Sequence, residues 1–404
     1  MSRLTIDDVY EHIRGVCFKN GPPGKVGAET EWLVVDRNDP HAHVPVARVR
    51  AAVEEPGPLP GGSGITYEPG GQLELSSPAF DGLMDLHAAL SADVTTVEAR
   101  LDRFGLALSG TGVDPVRAPR FQADHPRYGC MRDYWQGVGY GTDGLAMMCS
   151  TASVQVCLDI GADPADALRR WRLAHALGPV LVAAFANSPL RAGRRTGLRS
   201  TRQAIWNAID PGRTLPVLTD GDADPYDAWA RYALDARVML VRPRTGGEGW
   251  RGAPGMTFRE WIGKGEPDLD DLTYHLSTLF PPVRPRGWLE LRMIDALPVA
   301  YWPVPVAVAT ALLEDPRAAA TAEAAVAPVA GRWTEAARDA LTDPALARAA
   351  RTCFAAALEA LPRLGAADLV PLVAGYARRY VERGRCPADD LDTALSLEDL
   401  AWHH

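Results

Sequence analysis

The stretch VGAETEWLVVD, residues 26–36, places Glu29 and Glu31 two apart inside a run that otherwise reads as a buried strand. Side chains alternate along a strand, so both acids share one face while Ala28, Thr30 and Trp32 share the other. Two carboxylates held that close repel unless a cation sits between them or the face opens to water. The pattern recurs. In TYEPGGQLELSS, Gln72, Glu74 and Ser76 line up opposite Leu73 and Leu75, with Glu68 just before the Gly pair. In STASVQVCLDI, Ser153, Gln155, Cys157 and Asp159 alternate against Val154, Val156 and Leu158. In WLELRMID, Glu290 and Arg292 alternate against Leu289, Leu291 and Met293.

Taken one strand at a time, the wet outer face of an antiparallel sheet accounts for each pattern. Compared with one another, the faces are less ordinary: Glu29, Glu31, Glu68, Glu74 and Glu290 hold the principal positions, and no lysine does. Acids gathered on one surface raise each other's pKa unless cations neutralise them. Carboxylates with one amide, Gln155, and no strongly placed His or Cys suit a hard ion, Mg2+ or Mn2+, better than zinc. Magnesium held this way keeps positions open for phosphates, so a nucleotide is the natural partner. No GxxxxGK[ST] is present. GYGTDG, residues 139–144, matches GxGxxG but precedes the strand at 150–159 instead of following one, and reads as a flexible loop. The Arg-dense RAGRRTGLRSTRQ (Arg191, Arg194, Arg195, Arg199, Arg202) is either a triphosphate grip or a solvated charge run.

The totals agree with small-molecule chemistry. The 404 residues, 47% hydrophobic and 23% charged, suffice for one large domain or two average ones. A net charge of −9 argues against electrostatic capture of nucleic acid or an anionic membrane. No apolar stretch reaches the ~18–20 residues of a membrane span, and MSRLTIDDVYEHI lacks the plan of a signal peptide; the expected location is cytoplasmic. All but three of the 42 basic residues are arginine, so a bound phosphate is expected on Arg forks and metal. Cys17, Cys130, Cys149, Cys157, Cys353 and Cys386 form no CxxC pair and read as reduced thiols.

Four strands are expected, over 26–36, 65–78 with an interruption at Pro69-Gly70-Gly71, 150–159 and 287–296. Helices are expected over 5–18, 82–104, 164–187, 200–209, 225–239 and 257–279, the last broken near Gly263–Pro267. Strands separated by several helices give an α+β fold, not a regular βαβ series. From about 303 the chain turns Ala- and Arg-rich, with helical periodicity in 333–342, 345–361 and 366–383. The expected organisation is one catalytic domain over 1–404, its sheet within about 1–300 and a helical layer over about 301–404. Loops 55–64 and 242–255 are surface or lid candidates. His41 and His43 read as surface, Trp171, His175 and Phe185 as core, and His403 and His404 as a disordered terminus. Asp210 and Arg213 read as pinning a helix end, with a substrate role open.

VGAETEW, YEPGGQLELSSP, MCSTASVQVCLD, STRQAIWNAIDPGR and GWLELRMIDALP, taken together and in order over about residues 10–300, resemble the glutamate–cysteine ligase family in its plant/proteobacterial-like form and in the actinobacterial form of ergothioneine biosynthesis. The resemblance implies a curved antiparallel sheet forming a funnel of the glutamine synthetase type, surrounded by helices. It implies Glu29, Glu31, Glu68, Glu74, Gln155 and Glu290 as ligands of Mg2+ or Mn2+. Arg292, with Glu290, would be catalytic and would reach the transferring phosphate of ATP, and Arg202 and Trp206 would bind the amino-acid substrate. The implied reaction joins the γ-carboxylate of L-glutamate to the amine of L-cysteine through a γ-glutamyl phosphate, for ergothioneine or glutathione biosynthesis. The partners would be L-glutamate, L-cysteine and ATP, and the chain a monomer, with a homodimer as the alternative. A ligase of the same superfamily with another amine acceptor shares these features. A two-carboxylate glycoside hydrolase and a catalytically dead binding module are further readings, separable by ATP dependence and by turnover.

Overall fold

The computed structural model describes residues 3–21, 23–54, 57–218, 224–243 and 249–393. His403, His404 and parts of the candidate loops 55–64 and 242–255 lie outside the described residues.

Seven strands make the main sheet: β1 Val26–Asp36, β2 Gly64–Tyr67, β3 Leu73–Ser76, β4 Leu106–Ser109, β5 Ser153–Asp159, β6 Val283–Pro285 and β7 Trp288–Asp295. Their order is β6-β7-β5-β1-β3-β2, with β4 joining the far end of β1 at Leu33 opposite Ser109. Every neighbouring pair is antiparallel. The fold is α+β, as the strand and helix spacing suggests.

One expected strand proves to be two. Residues 65–78 form the β2–β3 hairpin because Pro69-Gly70-Gly71 turns the chain back. Gly71 has φ +92, and a Cβ on Gly70 would come within 2.1 Å of the Cys149 carbonyl oxygen, so the turn needs both glycines. Gln72 lies just before β3 and lines the same cavity as Glu74, with its side chain tied to backbone groups. Its amide accepts from the Gly70 N–H and donates to the Met148 and Thr151 carbonyls. Expected residues 150–159 and 287–296 shorten to β5 and β7, while β4 and β6, only four and three residues long, carry too little pattern to be read locally.

The apolar faces of β1, β5 and β7 pack on helices Leu83–Asp102, Pro164–Phe185 and Pro303–Glu314. Ala28, Thr30 and Trp32 are at most 2% exposed, and the Trp32 indole donates to the Leu297 carbonyl at 3.1 Å. Behind them, helices 316–326, 344–360 and 370–379 extend the core. Trp171, His175 and Phe185 sit in it, as their helical spacing predicts.

Other departures have local causes. The first helix, Ile6–His12, starts at a Thr5–Asp8 capping box but continues as a π-helical segment, Ile13–Cys17. The helix expected over 225–239 stops at Asp235, and Arg237–Val241 instead pairs with Arg251–Thr257, which is the described end of the 242–255 loop. Within residues 57–64, the buried Asp93 carboxylate accepts from the Gly61 and Ser63 N–H groups and pins them. GYGTDG is not simply a loop, since Gly141 opens the helix Gly141–Ser150 that leads into β5. All six cysteines are free.

Candidate active site

Register brings the acids together. On the polar face of the sheet, Glu29 stands directly opposite Gln155 on β5, and Glu31 directly opposite Glu74 on β3. Glu290 on β7 lies opposite Cys157, itself opposite Gly27. Glu68 comes from the hairpin turn, its N–H donating to the Gln72 carbonyl. This wall closes one side of a cavity of about 430 Å3 lined by Glu29, Glu31, Glu68, Glu74, Gln155, Arg202, Trp206 and Arg292. Glu290 is the exception among the expected residues: it is fully buried and does not line the cavity.

Two acidic groups result. Single oxygens of Glu31, Glu68 and Glu74 all lie within 4.8 Å of one another, and ligand atoms of Glu29, Cys157 and Glu290 do the same. Among the described residues, no Lys or Arg forms an ion pair with Glu29, Glu31, Glu68 or Glu74. Burial, with Glu290 and Glu74 as like charges, pushes Glu29 up to about 8. Burial and Glu74 push Glu31 up to about 7, and burial with Glu31 and Glu74 holds Glu68 well above the usual carboxylate range. Burial also keeps the Cys157 thiol protonated far above neutrality, which leaves oxygens as the useful donors. Buried hard oxygens that repel one another are the donor set that a small divalent cation satisfies.

Glu290 behaves differently. Burial alone would raise its pKa, but Arg284 and Arg292 outweigh it and hold the carboxyl at about 2. Its Oε2 accepts from Arg284 Nε at 2.6 Å and from Arg292 Nη1 at 3.0 Å, and its Oε1 from Arg286 Nη1 at 3.4 Å. It is the common anchor of three guanidinium groups. Arg292 also donates to the Gln155 carbonyl oxygen, and the Gln155 amide nitrogen donates to Glu31 Oε1 at 2.9 Å. Gln155 therefore links the arginine side of the site to the acidic side.

On the opposite wall, helix Thr201–Ala208 starts at Ser200, whose hydroxyl caps the Gln203 N–H, and carries Arg202 and Trp206. Arg202 Nη2 donates to the Arg292 carbonyl at 2.8 Å. Its Nε and Nη1, and the Trp206 Nε1, are buried without a hydrogen-bond partner. Of the five arginines in 191–202 it alone lines the cavity: Arg191 pairs with Asp143 and Arg199 with Asp389, and Arg194 is exposed on a two-residue ribbon. Asp210 and Arg213 are structural. Arg213 is fully buried, pairs with Asp210 at 3.3 Å and donates to Thr278 and to the Arg237 carbonyl. His41 is exposed, as expected, whereas His43 is half-buried.

The sequence reading overlooked Arg284 and Arg286, although they alternate with one another just before Glu290 and a face-by-face reading extended six residues would include them. It also missed Tyr128, Met131, Met147, Met148 and Phe280, which line the cavity from helices and loops whose apolar residues look like ordinary core.

Residues 25–400 match the glutamate–cysteine ligase family 2 (GCS2). The chain belongs to this family. Among curated proteins it is 43% identical over 398 residues to the glutamate–cysteine ligase EgtA of Mycolicibacterium smegmatis, covering 96% of this chain and 92% of that one. The Mycobacterium tuberculosis EgtA is 41% identical over 400 residues, covering 97% and 90%. The chloroplastic glutamate–cysteine ligase of Arabidopsis thaliana is 36% identical over 249 residues, 59% of this chain and 46% of that protein. The ligase also shares its fold with the crystal structure of a Francisella tularensis glutamate–cysteine ligase in complex with AMP, at TM-score 0.55 and 12% identity over 95% of this chain and 87% of that one. It is thus an enzyme of the glutamate–cysteine ligase type, and none of its described helices is long and apolar enough to cross a membrane.

Proposed function

We propose that this ligase phosphorylates the γ-carboxylate of L-glutamate with ATP and lets the amine of L-cysteine displace the phosphate, giving γ-glutamylcysteine, ADP and phosphate. The observation that carries the reading is the mutual approach of Glu31, Glu68 and Glu74 within 4.8 Å, with Arg292 linked to them through Gln155. A carboxylate is a poor acyl donor, and an anionic carboxylate meets an anionic triphosphate only where positive charge bridges them. Bound Mg2+ or Mn2+, held by Glu29, Glu31, Glu68 and Glu74, would supply that bridging charge, whereas the expected ligands Glu290 and Gln155 have their oxygens taken up by arginines. Arg292, anchored by Glu290, faces the transferring phosphoryl group as a second source of it, with Arg284 and Arg286 beside it. Arg202 and Trp206, which line the cavity, receive the amino-acid substrate. No step needs a protein nucleophile, consistent with cysteines whose thiols burial holds protonated.

The same reading puts the nucleotide base on this wall. A second groove of about 310 Å3 shares Glu29 with the main cavity and continues along Gly27, Ser77, Cys157 and Gly287 to Trp288. Small residues on its floor leave room for a flat ring, and Trp288, 37% exposed, offers an indole face at its mouth. The reading extends to a monomeric cytoplasmic enzyme acting in low-molecular-weight thiol biosynthesis, of ergothioneine or glutathione.

Purified protein with ATP, Mg2+, glutamate and cysteine should release ADP and form γ-glutamylcysteine, identified by mass. Chelation should abolish both. ADP release with another amino acid in preference to cysteine would replace the acceptor in this proposal, and turnover without ATP would overturn it.

A further inference from the structure

Asp295 closes β7, is 2% exposed and carries none of the roles described so far. Its carboxylate is nevertheless fully engaged. Oδ2 accepts from the Asn187 N–H at 2.9 Å and the Ser188 hydroxyl at 2.7 Å, and Oδ1 from the Ser200 hydroxyl at 2.9 Å. Each of those hydroxyls passes the contact on. Ser188 Oγ accepts the Arg202 N–H at 3.1 Å, and Ser200 Oγ accepts the Gln203 N–H at 3.1 Å. Two short bridges thus run from one carboxylate to the first turn of helix Thr201–Ala208. The Arg202 guanidinium is an attractive charge for Asp295, and its Nη2 bonds the Arg292 carbonyl three residues before Asp295 on the same strand. Gly112 leaves space for the carboxylate: a Cβ there would lie 2.5 Å from Asp295 Cγ.

We infer that Asp295 is a positioning residue for glutamate binding, locking the start of helix Thr201–Ala208 to β7 so that Arg202 and Trp206 keep their places in the cavity lining. This rests on the assignment of Arg202 and Trp206 to the amino-acid substrate. The physical logic is that a flexible guanidinium binds a carboxylate weakly unless its backbone and stem are held in advance. Asp295 holds both, through the Ser188 and Ser200 bridges and through charge.

The test is Asp295→Asn in the full chain, which keeps the shape but sets an amide N–H against donors. KM for glutamate should rise about tenfold, while KM for ATP stays within about twofold. Gly112→Ala, which displaces the carboxylate without altering it, should give the same split. If Asp295→Asn does not fold, Ser188→Ala and Ser200→Ala, each removing one bridge, should each raise KM for glutamate selectively. Arg202→Ala separates the inference from the reading beneath it. An unchanged KM for glutamate in Arg202→Ala would remove Arg202 from the substrate site and the inference with it. A raised KM in Arg202→Ala beside an unchanged KM in the folded Asp295 variant would overturn the inference alone. So would a parallel loss of kcat and of affinity for both substrates, which marks a purely structural role.

Discussion

The Gln155 amide donates to the Glu31 carboxylate at 2.9 Å, and the same side chain accepts from Arg292. One neutral residue therefore bridges Glu31 and Arg292.

Gln155→Ala should accordingly lower apparent Mg2+ affinity or activity by about 10–100-fold, the usual effect of losing a group that orients metal ligands. A titration of ADP release against Mg2+ checks it. An unchanged Mg2+ dependence would show that the bridge is incidental.

Glu31→Gln should have opposite effects on activity and on fold. ADP formation should fall by about a hundredfold or more, while above about pH 7 the metal-free protein should melt at a higher temperature because one ionised member of a repelling, partly buried trio is gone. Glu29→Gln should behave alike. Calorimetry in chelator beside a turnover assay reads both, and a lower melting temperature would contradict the electrostatic account of the site.

The metal-free protein should lose stability as pH rises. Glu29 and Glu31 titrate near 8 and near 7 in the folded chain, against an ordinary 4.5 in the unfolded one. Between these values the folded state binds protons that the unfolded state has released. The stability linked to them is therefore fully present below about 4.5 and is lost through about 7 to 8. Melting temperature in chelator should fall from about pH 6 to about pH 8, with saturating Mg2+ flattening the trend. Mg2+ binding near neutrality should release protons, visible as a dependence of the binding heat on buffer ionisation enthalpy.

Glu290→Gln should damage the fold as well as the chemistry. Three guanidinium groups share this buried carboxylate, so removing its charge should cost about 3–5 kcal/mol of stability along with activity. Arg292→Lys should stay folded but lose most turnover, since an ammonium cannot contact Glu290, Gln155 and a phosphate in one plane. Denaturant titration and steady-state rates distinguish the two.

Trp288→Ala should weaken ATP by about 1–3 kcal/mol, the worth of an aromatic face against a base, with KM for glutamate unchanged. If KM for ATP does not move, the base lies elsewhere.

That Glu29 shares a face with Glu31 and Glu290 with Arg292, and that Glu74 and Leu75 take opposite faces, was legible in the chain alone, because which face a strand residue takes depends only on its immediate neighbours. The same local rules located the Pro- and Asp-initiated helix at 164 and the α+β class. What the chain could not specify locally was adjacency. That Glu29 faces Gln155, that Glu31 faces Glu74, and that a turn and not a strand delivers Glu68 follow from pairing between distant segments; Gln155 and Glu31, which bond each other, are 124 residues apart. Burial was hidden for the same reason. Glu290 and Asp295 have the same chemistry as any acid in a polar strand face, and only the packing of Arg284, Arg286 and Ser200 around them turned one into an anchor for arginines and the other into a brace for a helix.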